Sequence, residues 1–155
     1  RIKKIKLEKI KMKNTQDLIN VLNEDLKNEY KHMLFYLHAG VVIQGFHREE
    51  IGEFLLGEAK EEMVHVEEFS RKIIGLDGVP VTEANSYRTD LTDPKDILQY
   101  VLDMENEVAD IYARQLVDTE ELGGTDGLFI HVFLEDQLLH SRNTADHVKE
   151  MLKSF

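Results

Sequence analysis

The sequence predicts an all-α fold, an antiparallel bundle of four long helices in which the second and third are joined by one long crossover. Three observations predict it. Apolar residues recur in alternating steps of three and four through most of residues 14–155, which keeps them on one helical face. Only two prolines occur in 155 residues, and Gly45, Gly75, Gly78 and the Gly123-Gly124 pair sit where that pattern breaks. The breaks leave two short connections and one long one.

Each helix carries its own signals. Asn14 and Thr15 offer capping oxygens to a first helix that runs to about Gln44, where Gly45 ends it. The second begins near His47 and continues to about Ile74, with Gly75 and Gly78-Val79-Pro80 breaking the pattern. Thr92-Asp93-Pro94 starts the third, a cap followed by proline in the first turn, and periodicity holds to about Leu122. Gly123-Gly124-Thr125-Asp126-Gly127 predicts a short turn, after which the fourth helix runs to about Lys153. The short connections make antiparallel hairpins. The connection between the second and third helices, about fifteen residues long, can cross the whole bundle and so makes those two helices parallel.

Composition narrows the function. The chain suits one domain at residues 14–155 with a single core. Having no cysteine, it cannot build disulfides, thiolate zinc sites, iron–sulfur clusters or a cysteine nucleophile. Any metal sits on oxygen and imidazole nitrogen, donors that suit iron or manganese. No apolar run is long enough to span a bilayer, no secretory apolar block is seen, and a cytoplasmic location is expected. The net charge of −11 argues against nucleic acid as the main partner and towards cations. Residues 1–13 stand apart with seven Lys or Arg against one Glu, leaving 12 basic against 29 acidic residues in the rest. This segment reads either as a basic arm, able to meet nucleic acid or a neighbouring subunit, or as an extension ahead of a natural start at Met12.

Every apolar stripe is interrupted near its middle. The stripes read Leu22, Leu26, Glu29, Met33, Tyr36, Gly40; then Leu55, Glu58 or Ala59, Glu62, His65, Phe69, Ile73. On the third helix follow Leu98, Val101, Glu105, Val108, Tyr112, and on the fourth Ile130, Phe133, Gln137, His140, Thr144, Val148, Met151. A buried unpaired carboxylate costs several kcal/mol unless protonated or paired. Three carboxylates and two histidines without a lysine or arginine in the same stripes call for another positive charge, which two divalent cations supply. A lone Glu-x-x-His is common on helix surfaces, and a single core histidine is usually a packing residue. Four interruptions in register on four suitably connected helices resist that bland reading. One Glu from each of two helices with Glu-x-x-His from the other two is the ligand pattern of di-iron carboxylate bundles.

Over nearly all of residues 14–153 the sequence resembles ferritins, and bacterioferritins in particular. The resemblance rests on Leu22-Asn23-Glu24-Asp25-Leu26-Lys27-Asn28-Glu29, on Tyr36-Leu37-His38-Ala39, on Glu62-Met63-Val64-His65 with Gly78-Val79-Pro80, and on Leu102-Asp103-Met104-Glu105-Asn106. It implies a ferritin-like fold and two iron ions held by Glu29, Glu62, His65, Glu105, Gln137 and His140, with Glu62 and Glu105 bridging. Manganese fits the same donors. Tyr36 is implied as the tyrosine beside the centre, and Met63 stands where bacterioferritins ligate haem b across a subunit twofold. Gln137 departs from bacterioferritin, which has Glu there, so one iron should be held more weakly; Asp136 is the off-stripe substitute. The implied activity is ferroxidation of Fe(II) by oxygen or hydrogen peroxide for storage or detoxification, in a homo-oligomer between a dimer and a cage. Rival readings are a rubrerythrin-like peroxide reductase, a manganese catalase, and a mini-ferritin shell that protects DNA through the basic arm.

Overall fold

The computed structural model describes residues 12–155 and folds them as four α-helices: α1 (Thr15–Val42), α2 (Arg48–Gly75), α3 (Pro94–Leu122) and α4 (Gly124–Leu152). Of the basic segment expected at residues 1–13, residues 1–11 lie outside the described residues. Met12 packs into the core, and the Lys13 backbone N–H donates to Asp17 at 2.9 Å.

The caps are those the sequence announces. Asn14 Oδ1 accepts from the Asp17 N–H at 2.9 Å and so satisfies one of the free donors at the start of α1. Asp93 does the same for Lys95 and Asp96 at the start of α3, with Pro94 in the first turn. At the end of α2 the left-handed residue is Asp77, with φ 63°, and the Gly78 N–H closes the terminus on Ile73 O at 2.9 Å. The fourth helix starts earlier than the glycine-rich turn implies. Gly123 and Gly124, with φ 64° and 68°, complete the reversal, and the Gly127 N–H already bonds Gly123 O at 3.2 Å. Gly127 serves close approach instead, since a Cβ there would lie 2.9 Å from Thr119 O.

Residues 76–93 form the crossover, and their bonds show its course. Asn23 holds the backbone of Val79 and Val81, Asn85 bonds Lys27 O and Asn28, His38 meets Thr89 O, and the Gln44 N–H donates to Thr92 O. Contacts that advance together along both segments mean that the crossover runs beside α1 from one end of the bundle to the other. Helices α2 and α3 are therefore parallel, while α1 with α2 and α3 with α4 form the tightly packed antiparallel hairpins.

Two apolar clusters fill the interior. One gathers Leu18, Leu22, Leu26, Phe69, Tyr112 and Ile130; the other gathers Phe35, Leu55, Leu98, Val101, Met104 and Val148. Each fully buried leucine stabilises the fold by about 2 kcal/mol. Within the first hairpin the backbones approach closely at Gly40 and Gly52, where a Cβ on Gly52 would lie 3.0 Å from Gly40 O. Gly52→Val should destabilise the fold by about 1–3 kcal/mol through overpacking, read as a lower urea midpoint at unchanged slope. Among the described residues no helix is long and apolar enough to cross a membrane.

Candidate metal centre

A layer of polar side chains separates the two apolar clusters. It contains Glu29 and His32 of α1, Glu62 and His65 of α2, Glu105 of α3 and Gln137 of α4, each no more than 8% exposed. His140 of α4 joins them with its side chain 26% exposed. All six residues expected as ligands from the sequence lie in this layer, one or two from each helix, because the alternating three- and four-residue step turns each of them inward.

Two groups of three bring ligand atoms within 4.8 Å of one another: Glu62, His65 and His140, and His32, Glu62 and Glu105. Glu62 belongs to both. One of its oxygens, Oε2, lies 3.0 Å from His65 Nδ1, while Oε1 stands 3.9 Å from His32 Nδ1 and 4.0 Å from His140 Nε2. On the far side Glu105 Oε1 is 3.4 Å from His32 Nδ1. Glu29 stands beside the first group, its Oε2 3.4 Å from His65 Nδ1. The carboxylates are steered by phenols: Tyr36 donates to Glu105 Oε1 at 2.5 Å, and Tyr112 donates to Glu29 Oε1. Glu58, partly buried, accepts from Thr144 Oγ1 at 3.3 Å and faces His140 Nε2 at 3.7 Å.

Crowding sets the protonation. Burial raises the Glu29 carboxyl, but hydrogen bonds to Glu62 and His65 and the charges of His65 and His32 outweigh it and hold the group at about 2. Burial and the neighbouring Glu29 charge push Glu62 well above the usual carboxylate range. Glu29 therefore carries the charge of the pair and Glu62 its proton, as expected of two carboxyls sharing one site. Burial keeps the Tyr36 and Tyr112 phenols neutral, and the Glu58 carboxylate draws His140 upward.

Hard divalent cations with an affinity for oxygen and imidazole suit this donor set. Glu105 Oε2 and His140 Nε2 are buried in the layer without a hydrogen-bond partner. Buried polar atoms are as a rule paired, and an electrophile such as a metal ion would satisfy these two. Access comes from a cleft of about 660 Å³ between α2 and α4, which reaches His65 and Gln137. Its acidic residues are Glu61, Glu68 and Asp136, and Lys72 lies in it 4.7 Å from the centre of the Phe129 ring. Asp136 is exposed in this cleft whereas Gln137 is buried. Met63 is 66% exposed on the outer side of α2, apart from the centre.

Sequence reasoning missed His32, Asp25, Tyr112 and Gln115 as site residues. At Met33 and Gly40 the drawn stripe runs beside the buried column, which holds Asp25, Glu29, His32, Tyr36 and Ala39, while Leu26 is itself buried. Steps of four, three, four and three from Asp25 would have found it.

Comparison with known proteins agrees with this architecture. A model of the ferritin-like domain matches residues 19–154. A ferritin-like diiron-carboxylate protein from Bacillus anthracis superposes with a TM-score of 0.81 at 26% identity, over 89% of this chain and 96% of that one. A DPS protein from Vibrio cholerae does so with 0.82 at 18%, over 89% and 90%. Mycobacterium tuberculosis bacterioferritin gives 0.77 at 24%, over 92% and 87%. The last two show likeness of fold alone. No curated protein matches the sequence.

Proposed function

The chain belongs to the ferritin-like domain family, and from that premise we propose that it is a ferroxidase, taking two Fe(II) ions into its core and oxidising them with oxygen or hydrogen peroxide for iron storage or detoxification. The observation that carries this reading is the pair of three-residue groups that share Glu62. The described relative from Bacillus anthracis, a diiron-carboxylate protein, supports it. Iron is here the substrate. Each Fe(II) gives up one electron, so a pair supplies the two electrons that, with two protons, reduce oxygen to hydrogen peroxide.

The protein's own residues have distinct parts in this reading. Glu62 is the shared carboxylate, and Glu105 is the second candidate to bridge. Glu29, His65 and His140 are terminal ligands, with His32 added on the Glu105 side. Tyr36 fixes the rotamer of Glu105 through its hydrogen bond. Gln137 is a neutral amide where a carboxylate would hold iron more firmly. The acidic cleft beside His65 gives Fe(II) a way in and concentrates cations at its mouth. Homo-oligomeric assembly, manganese in place of iron, and haem at Met63 between two copies belong to the same family of expectations; sedimentation, elemental analysis and the absorption spectrum read them directly.

Anaerobic titration of the full chain with Fe(II), followed by oxygen, tests the proposal. About two irons per chain should be retained and then oxidised much faster than in buffer; no retained iron, or oxidation at the buffer rate, rejects it. His32→Ala should lower retention from about two ions to about one, because one group loses its imidazole while the other stays intact.

A further inference from the structure

A second polar tier lies one helical turn from the centre. Asp25, four residues before Glu29, is 2% exposed, and its Oδ1 accepts from Gln115 Nε2 at 2.8 Å. The other two oxygens of this pair, Asp25 Oδ2 and Gln115 Oε1, are both buried and both lack a partner. Two acceptors left over on a carboxyl and an amide already joined by one hydrogen bond are the two atoms that a single proton on Asp25 Oδ2 would join. The result is a cyclic carboxylic acid–amide pair with every polar atom satisfied. A metal ion fits the tier less well, since Asp25 belongs to neither group of clustered ligand atoms among the described residues.

The charge of the centre gives this proton a use. Glu29, Glu62 and Glu105 supply three negative charges, two divalent cations bring four positive ones, and Gln137 supplies none. We propose that Asp25 is stored as a neutral acid paired with Gln115 and gives up its proton when cations fill the centre, becoming the fourth carboxylate charge that the amide at position 137 leaves missing. In that step the Asp25 O–H bond breaks, the electron pair stays on the carboxylate, and the proton goes to solvent. The release rests on the metal-centre reading above, whereas the stored proton does not.

The surroundings agree. Burial, with the charges of Glu29 and Glu24, holds Asp25 up at about 8 against the opposing Gln115 hydrogen bond. Glu24 and Glu29 act on it from its own helix, and Tyr112 faces it from α3. From α2, Glu62 and His65 reach Glu29, and from α4, His131 reaches Thr119. Along α3 the polar seam continues from Tyr112 through Gln115 to Thr119, whose Oγ1 lies 3.0 Å from His131 Nδ1. His131 Nε2 in turn stands 3.3 Å from the exposed Glu135. The Thr119–His131–Glu135 contacts thus begin one helical turn beyond Gln115 and end at the surface.

The experiment uses the full metal-free chain with carboxyl-labelled aspartate. Its infrared spectrum at pH 7 should contain one buried carboxylic-acid C=O band shifted by the aspartate label, which Asp25→Asn removes; absence of the shifted band in the unsubstituted chain overturns the stored proton even if the variant fails to fold. Loading with zinc sulfate, which undergoes no redox reaction, should release about one proton per chain more from the unsubstituted protein than from Asp25→Asn, at equal zinc content. Equal release from the two, or a deficit found in Glu58→Gln instead, overturns the compensating role. A chain that binds no zinc while keeping the infrared band rejects the metal centre and leaves the carboxylic acid–amide pair standing.

Discussion

Replacing Glu62 with alanine should abolish loading of both cation positions and lower the rate of Fe(II) oxidation by at least about a hundredfold, beyond the usual cost of losing an outer hydrogen-bond partner of a metal ligand. The size of the effect follows from position. Glu62 is the one side chain common to both groups, so its loss leaves two donors in each instead of three. Glu62→Gln separates chemistry from packing. It keeps the volume but ends the competition with Glu29 for one proton, and the metal-free variant should melt higher than the parent while still failing to load. Retention of two ions by either variant would remove Glu62 from the centre.

Metal-free protein should lose stability as pH rises from about 5 to 8, the reverse of the usual acid sensitivity. A carboxyl raised on folding binds a proton that the unfolded chain has already released, so its stabilisation is complete below the unfolded value and lost as pH climbs through the folded one. Asp25, moved from 3.8 to about 8, and Glu62, raised well above 4.5, both act in this direction. His140, raised above 6.5, adds to it. Glu29, depressed to about 2, acts oppositely but only below its unfolded value of 4.5, outside the window. At about 1.4 kcal/mol per unit, Asp25 alone amounts to several kcal/mol. Cations invert the trend because they displace these protons, so affinity increases with pH. Melting curves at pH 5, 6, 7 and 8 with and without zinc should diverge steadily. Parallel curves would mean that the centre holds no displaceable proton.

The fold was legible because its signals are local. Asn14, Asp93 and Pro94 mark helix starts by chemistry that needs no tertiary partner, and the long unpatterned stretch before Thr92 implied the crossover. Glu62, His65 and Glu105 were legible for a different reason: a charged group on an apolar stripe is conspicuous whichever way the helix is rotated. His32 was not, because α1 offers two adjacent columns of residues at helical spacing and only packing against the other helices decides between them. Asp25 and Gln115 lie on different helices 90 positions apart, and a buried carboxyl's partner cannot be read from either stripe alone. The Gly123–Gly127 run misled because glycine marks both turns and close backbone contacts, and Gly127 is the second kind.

Neither hairpin owns a complete set of ligands. Glu62 and His65 come from the first and His140 from the second; His32 and Glu62 from the first and Glu105 from the second. In a nascent or half-unfolded chain with only one hairpin formed, neither three-residue group is complete. A cation held by either group would join the two hairpins, a clasp whose opening must precede separation of the two halves.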